Sequence, residues 1–368
     1  LKVQPSLRQA PPWHARPFEG AAAVGHPVAM DSQASASAKR AREDTGRTGV
    51  AAYPGDVGSL AHIAAVRLFA GSPGIQLKGV RSFANVFDAV SAGEASYGVV
   101  PIENSSSGTL HSTYDLLVKH DVTIRAELGV RERYCLCARP AQSFADIRRV
   151  LSHPNILEAC SGFVESRLSG EPTLDSVPTR STTEAARRVA AGESDGVVAA
   201  AIATREAATH HGLTIMAEDI GNDAFLETRY VVISKQGVQS CPFPQDAMSP
   251  IEKRSACFAL TNEPGAIFKL LSCWALRGIN ILKMETRPVG MGQLPGLPAG
   301  LACLWEYLFY VDYTVPAGYS EEASSRLWES LKEFSVWQRD FGTYPSVVTR
   351  AAKQTRSWAE MVDLMAKG

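Results

Sequence analysis

The run Val99–Leu117, VVPIENSSSGTLHSTYDLL, carries an apolar strand into a knot of carboxylate, amide and hydroxyl groups and then into a helix. Gly98 to Ile102 reads as a buried strand. Glu103 to Gly108 reads as a turn rich in hydrogen-bonding side chains, and Thr109 onward as a helix carrying Tyr114, Leu116 and Leu117. Ligands of open α/β sheets sit beyond the carboxyl ends of strands, so Glu103 and Asn104 stand where chemistry is expected. The same residues also fit a polar turn with Ser106 or Ser107 as helix N-cap, and position in a fold does not by itself set function.

The elements that must position these groups alternate in type. Val50–Tyr53 is a strand, residues 54–59 a Gly-containing turn, and Leu60–Phe69 a helix with Leu60, Ile63, Ala64, Val66 and Phe69 inward. The βα pattern recurs: helix 87–90 and strand 97–102, strand 147–151 and helix 156–168, helix 182–191 and strand 197–201, helix 203–211 and strand 214–217, with strand 230–234 closing the series. Residues 239–250 read as a linker, holding Pro242, Pro244 and Pro250. Beyond it come strand 255–260, helix 265–276 with Ile267, Leu270, Leu271 and Trp274 at helical spacing, strand 279–286, a Gly/Pro-rich loop 289–300, strand 305–313, helix 321–334 and a last strand near 335–341. That order is βαββαβ, the ferredoxin-like unit.

The 368 residues allow two or three cores. With 37 basic and 38 acidic residues there is no basic field for nucleic acid, and a small-molecule partner is expected. The seven cysteines, Cys135, Cys137, Cys160, Cys241, Cys257, Cys273 and Cys303, form no CxxC pair and suit a reducing compartment. Cys135 and Cys137 share one face of a strand and read as core. No run reaches the ~18–20 apolar residues of a membrane span. Residues 1–48 are rich in Ala, Ser, Pro and Arg and poor in acids, which predicts disorder. Such a leader resembles an organelle transit segment, plastid first, with a start at Met30 and a cytoplasmic location as the competing reading.

The Val-Pro-Ile-Glu-Asn core, followed by Ser105, Gly108, Thr113 and Asp115-Leu116-Leu117, resembles the signature of the prephenate dehydratase family. Ser152-His153-Pro154, Ser181-Thr182-Thr183 and Thr228-Arg229-Tyr230 resemble its Ser-His-Pro, hydroxyl-rich and Thr-Arg-Phe segments, in the family's order. Glu263 to Ile267 and Glu285-Thr286-Arg287-Pro288 resemble the two signatures of the ACT regulatory domain that follows. The resemblance implies an α/β fold with a two-lobe, periplasmic-binding-protein-like catalytic region at 49–235 and a ferredoxin-like ACT domain at 253–346. Lobe one would hold 50–122 and 213–234, lobe two 123–212, with a linker at 236–252 and a tail at 347–368.

The implied reaction expels the ring carboxylate as CO2 and the ring hydroxyl as water, turning prephenate into phenylpyruvate or arogenate into phenylalanine. It needs no metal or organic cofactor, and no HExxH, dinucleotide GxGxxG or P-loop occurs in the chain. By resemblance Thr228 acts on the leaving hydroxyl, as a preorganised donor in a dry site. Arg229 either anchors a substrate carboxylate or pairs with an acid such as Glu103 to brace the cleft. Glu103 and Asn104 join the catalytic set, and Ser59, Ser105, Thr113, Ser152, Ser181 and Thr182 the substrate contacts. His153 reads as a turn residue.

In the ACT domain, Gly265, Ala266 and Ile267 open a helix whose free N–H groups suit an amino-acid carboxylate. Asn280, Glu285, Thr286, Arg287 and Pro288 would complete a phenylalanine site across a homodimer or homotetramer interface. The family pattern is broken at Leu60, Ala61, Asn155, Ala159 and Leu226, and Tyr230 replaces its Phe. These departures keep a rival reading open: a two-lobe amino-acid sensor that has lost turnover.

Overall fold

A computed structural model describes residues 49–70, 72, 74–168, 174–193, 196–237, 248–289, 306–316 and 318–347. The expected leader, most of the linker, the 289–300 loop, the 347–368 tail, Cys241 and Cys303 lie wholly or largely outside these residues.

The first pass of the chain makes β1 (Gly49–Pro54), α1 (Leu60–Phe69), β2 (Ile75–Val80), α2 (Phe83–Ala92), β3 (Tyr97–Asn104), β4 (Gly108–Thr109), α3 (His111–Lys119) and β5 (Val122–Arg131). A second lobe follows with β6 (Cys135–Ala138), β7 (Arg149–Ser152), α4 (Pro154–Ala159), α5 (Ser161–Leu168), β8 (Asp175–Pro178), α6 (Thr182–Ala191), β9 (Ala199–Ala203), α7 (Arg205–His210) and β10 (Thr214–Ala217). The chain then returns to the first sheet as β11 (Glu227–Lys235). The C-terminal domain is β12 (Met248–Ala259), α8 (Ala266–Ala275), β13 (Asn280–Pro288), β14 (Tyr307–Thr314), α9 (Glu321–Glu333) and β15 (Trp337–Val347).

Helix starts follow from local chemistry. Ser59, Ser82, Ser181, Thr204 and Ser320 each cap a helix by accepting a backbone N–H of its first turn. Gly93 and Gly192 end α2 and α6 in the left-handed conformation.

The first lobe's sheet runs β5-β11-β3-β1-β2, the second lobe's β10-β6-β9-β7-β8, and the C-terminal sheet β13-β14-β12-β15. The last order is that of the ferredoxin-like unit, and β15 joins its sheet to the first through a parallel contact with β5 at Ser346 and Glu127. On one face of the first sheet, Val99, Ala126, Leu128, Val130, Tyr230 and Val232 pack against α1. On the other, Val100, Ile102, Val231 and Ile233 share a core with α2 and α3 and with Cys257, Tyr310, Phe341 and Tyr344 of the C-terminal domain. Each fully buried Val, Leu, Ile or Phe side chain among them contributes ~1.5–3 kcal/mol by removal from water. The C-terminal domain is thus built onto the first lobe rather than tethered to it.

Several expectations change. The lobes exchange at residues 132–134 and 218–226, not at 122 and 213, because β5 pairs with β11 in the first sheet and β10 with β6 in the second. β12 already begins at Met248, inside the expected linker. Val66 faces solvent while Ala65 and Leu68 are buried, since small residues let α1 lie close to the sheet. Neither Ser106 nor Ser107 caps α3. Their N–H groups donate to Asn104 Oδ1, and the chain pairs back as β4 before the helix begins at His111. Cys135 and Cys137 are buried, unpaired thiols in β6, as expected for core. Among the described residues no helix is long and apolar enough to cross a membrane.

The lobes also touch through the β1–α1 turn. Thr204 donates to the Gly58 carbonyl at 2.5 Å, and a Cβ on Gly58 (φ +90°) would lie 2.5 Å from the Ala207 Cα. Gly58→Ala is therefore expected to cost more than ~1 kcal/mol of unfolding free energy in urea titrations. It should cost clearly more than Gly212→Ala, where φ is +67° but the Cβ meets open space.

Candidate active site

Strand alternation sorts the expected catalytic residues onto two faces. In β3, Glu103 and Asn104 are neighbours and point oppositely; in β11, Arg229 and Thr228 do the same. The register pairs Thr228 with Asn104 and Arg229 with Glu103. The four residues therefore form two clusters with the sheet between them.

On the face that looks to the lobe exchange, the Asn104 amide donates to Thr228 Oγ1 at 2.9 Å and to Glu132 Oε1 at 2.9 Å. Asn104 Oδ1 is fixed by the Ser106 and Ser107 N–H groups at 2.9 and 3.0 Å, which sets the amide's orientation. Thr228 donates to Glu132 Oε1 at 2.5 Å, and the Tyr134 hydroxyl donates to Glu132 Oε2 at 2.5 Å. Glu132 lies where the chain leaves the first lobe and Thr228 where it returns, and the Glu132 N–H donates to the Leu226 carbonyl at 2.8 Å. Glu132 and Tyr134 were not singled out by the sequence. Glu132 sits in the charged run Arg131-Glu132-Arg133, where nothing local marks it as different from a solvated acid.

On the other face, Arg229 meets three carboxylates: Asp312 of β14 at 2.7 Å, Glu103 at 3.2 Å and Glu127 of β5 at 3.3 Å. Lys283 of β13 adds bonds to Glu103 at 2.6 Å and to the Thr109 hydroxyl at 2.7 Å, and Lys253 of β12 pairs with Glu127. Ser255 donates to Asp312 at 2.6 Å and meets the Tyr344 hydroxyl at 2.6 Å. Three cations thus face three carboxylates at the junction of the first lobe and the C-terminal domain. Burial works against the guanidinium's charge, but Asp312 and the groups around it outweigh that and push the Arg229 pKa above its ordinary value. Arg229 makes the ion pair with Glu103 that the second of its two readings expects, together with those to Glu127 and Asp312.

The hydroxyls expected to contact substrate divide as well. Thr113 is fully buried and donates to the Pro101 carbonyl at 2.7 Å, and Ser152 is buried and donates to the Ile202 carbonyl at 2.7 Å. Ser105 accepts the Glu227 N–H at 2.9 Å. These three spend hydroxyl capacity on the backbone. Ser59 and Ser181 cap α1 and α6, Ser181 also bonding Thr183 at 2.9 Å, and Thr182 opens α6. His153 caps α4, its Nδ1 accepting the Asn155 N–H at 3.3 Å, which is the turn role expected of it.

In the C-terminal domain Gly265 (φ +81°) caps α8 with no side-chain hydrogen bond. The start of α8 borders a cavity of about 340 Å³ lined by residues that include Asn262, Glu263, Ala266, Ile267, Tyr307 and Phe309. Glu285 and Arg287 turn instead to the first lobe. Glu285 accepts from the Thr109 hydroxyl at 2.7 Å and lies 3.3 Å from His111. Burial raises its pKa, yet the Thr109 and His111 hydrogen bonds hold it below the ordinary value. Arg287 bonds Asp115 at 2.6 Å. Asn280, Thr286 and Pro288 are exposed on the opposite face of β13.

A two-lobed α/β unit with a polar cluster at the lobe exchange, carrying a ferredoxin-like domain on one face of its sheet, is the fold class these observations define. The prephenate dehydratase family model matches residues 51–238. The arogenate dehydratase/prephenate dehydratase 2, chloroplastic, of Arabidopsis thaliana is 33% identical over 294 residues, 80% of this chain and 72% of that one. Arogenate dehydratase 2 of Petunia hybrida is 32% identical over 298 residues, 80% and 71% of the two chains. The crystal structure of a prephenate dehydratase from Arthrobacter aurescens in complex with L-Phe is 27% identical with a TM-score of 0.65, covering 87% of this chain and all of that one. The chain belongs to the prephenate dehydratase family.

Removing one member of the buried ionic cluster leaves charge without a partner. Arg229→Met is expected to cost ~3–5 kcal/mol of unfolding free energy. Thr228→Ala, which removes one small hydroxyl, should cost ~1–2 kcal/mol. Paired urea titrations read both, and near-equal losses would contradict the assignment of the two faces.

Proposed function

We propose that the chain catalyses the decarboxylating dehydration of arogenate, prephenate or both, with Thr228 acting on the leaving ring hydroxyl. The observation that carries this reading is the Thr228 hydroxyl held between the Asn104 amide and the Glu132 carboxyl at the exchange between lobes. A hydroxyl is a weak acid in water. It works as a donor only where fixed dipoles replace solvent and its oxygen is held in place beforehand, and the Asn104 and Glu132 contacts hold Thr228 Oγ1. Asn104 belongs to the same site, while Ser59, Ser181 and Thr182 supply helix N-termini suited to substrate carboxylates. Arg229 and Glu103 act from behind the sheet by fixing β3 and β11 in register.

The C-terminal domain is read as an ACT domain that binds phenylalanine. Three features support this: the N-terminus of α8, which no side chain caps, the cavity beside it, and the exposed apolar residues Ile267 and Phe268 on that helix with Leu276 at its C-terminal cap. A second copy of the chain covering those side chains would give a homodimer or homotetramer. Glu285 and Arg287 serve in this reading as the link from that domain to the first lobe. The chloroplastic relative and the acid-poor leader support a plastid location.

The test is turnover of prephenate and of arogenate, each with and without excess phenylalanine. At least one acid should be converted, the faster one naming the preferred substrate, and phenylalanine should lower the rate. Thr228→Ala is expected to reduce kcat by at least ~100-fold with substrate affinity little changed. Well-folded protein that binds these acids and converts neither would favour the amino-acid sensor, a reading the Leu226 and Ala159 departures support.

A further inference from the structure

The dehydration consumes one proton, which leaves with the hydroxyl as water, and a threonine can pass a proton on only if it receives one. We propose that Glu132 holds that proton and delivers it through Thr228, an inference that rests on Thr228 being the group that meets the leaving hydroxyl.

The two faces of the sheet hold their carboxylates differently. Glu103 and Glu127 are each paired with cations at close range. Glu132 has no ion-pair partner among the described residues. Its two oxygens meet a hydroxyl, an amide and a phenol, all neutral. Taking up a proton there breaks no ion pair.

The titratable groups that face Glu132 are Tyr134 from the lobe exchange, Tyr230 from β11 and Cys160 from the end of α4. Burial first, and the Glu132 charge second, push both tyrosines above their ordinary values. Burial is also the largest cause that takes the Cys160 thiol up to about 12. All three stay protonated near neutral pH. The flanking cations look elsewhere: Arg133 lies 3.5 Å from Asp219, and Arg131 sits over the Phe225 ring.

The exchange balances as follows. With Glu132 ionised, Thr228 donates to it and its proton is turned from the substrate. With Glu132 protonated, the carboxyl donates to Thr228 Oγ1, and the threonine proton is free to point at the leaving hydroxyl. As the ring C–O bond breaks, its electron pair leaves with the oxygen, which takes the Thr228 proton and departs as water. Thr228 Oγ1 takes the Glu132 proton. The bond from the ring to its carboxylate breaks, its electron pair enters the ring, and CO2 departs. Glu132 is left ionised and regains a proton from solvent. The Asn104 amide, bonded to both oxygens, holds the pair in line throughout. Glu132 acts through Thr228 and is a positioning and proton-holding residue.

The test compares wild-type full-length protein with Glu132→Gln, Tyr134→Phe and Thr228→Ala, measuring kcat and KM against pH. Glu132→Gln keeps an oxygen acceptor for Thr228 but cannot release a proton. It should lose ~100-fold in kcat with KM within about threefold, and lose the limb over which wild-type kcat falls as pH rises. Tyr134→Phe removes a donor that favours ionised Glu132, so the same limb should move to higher pH. Glu132→Gln with kcat within threefold of wild type, or an unmoved limb in Tyr134→Phe, overturns the proposal. Thr228→Ala separates the two levels: normal turnover in that variant defeats the Thr228 reading itself. A dead Thr228→Ala beside an active Glu132→Gln defeats only the role of Glu132. If Glu132→Gln fails to fold, the pH limb of Tyr134→Phe decides.

Discussion

Everything at the site depends on the pairing of β3 with β11, because two adjacent residues in each strand are sent to opposite sides of one sheet. Asn104 and Thr228 go to the lobe exchange, and Glu103 and Arg229 go to the C-terminal domain. A slip of one residue in this register would turn the hydroxyl into the ionic cluster and the guanidinium into the cleft. The bulge between Arg229 and Tyr230 absorbs the mismatch just where the polar residues give way to the apolar core, so register is fixed on both sides of it. The hydrogen-bonded bracket on one face and the paired charges on the other are two consequences of a single strand alignment.

The same constraint places the C-terminal domain behind the sheet, on the face opposite Asn104 and Thr228. Asp312 of β14, Lys283 of β13 and Lys253 of β12 meet groups of the first lobe carried by β3, β5 and β11. Arg287 and Glu285 bind α3 and the hairpin before it. Any shift of β13 or β14 is met by Glu103 and Arg229, whose chain neighbours are Asn104 and Thr228. Two groups one residue apart on a strand cannot move independently, since the backbone between them is hydrogen-bonded on both edges in the β5-β11-β3 order. Tyr114, Tyr310, Phe341 and Tyr344 share one apolar core across the junction.

Much of this was legible in the residues alone. The strand-to-helix alternation and the βαββαβ order follow from period and turn chemistry, and the segment around Thr228 was marked by its resemblance to the family. What the residues hid was direction. The sequence places Thr228 beside Arg229, and adjacency suggests one site, whereas the pleat separates them by the thickness of a sheet. Thr113 and Ser152 were expected as substrate contacts because their segments resemble the family's motifs; their burial against the Pro101 and Ile202 carbonyls is set by distant packing that no local pattern records. Glu132 was invisible for the opposite reason, lying between two arginines in what reads as a solvated stretch. β2 escaped notice too: as a sheet edge it carries Lys78 and Gln76 among few apolar residues and lacks the signature of a buried strand.

With Thr228 and Arg229 on opposite faces of the sheet, the substrate can meet only one of them. A structure of the protein with a substrate analogue bound tests this directly. It should show the ring hydroxyl oxygen within hydrogen-bond distance of Thr228 Oγ1, with Arg229 still held among Glu103, Glu127 and Asp312. A substrate carboxylate seated on the Arg229 guanidinium, with those acidic partners displaced, would contradict it.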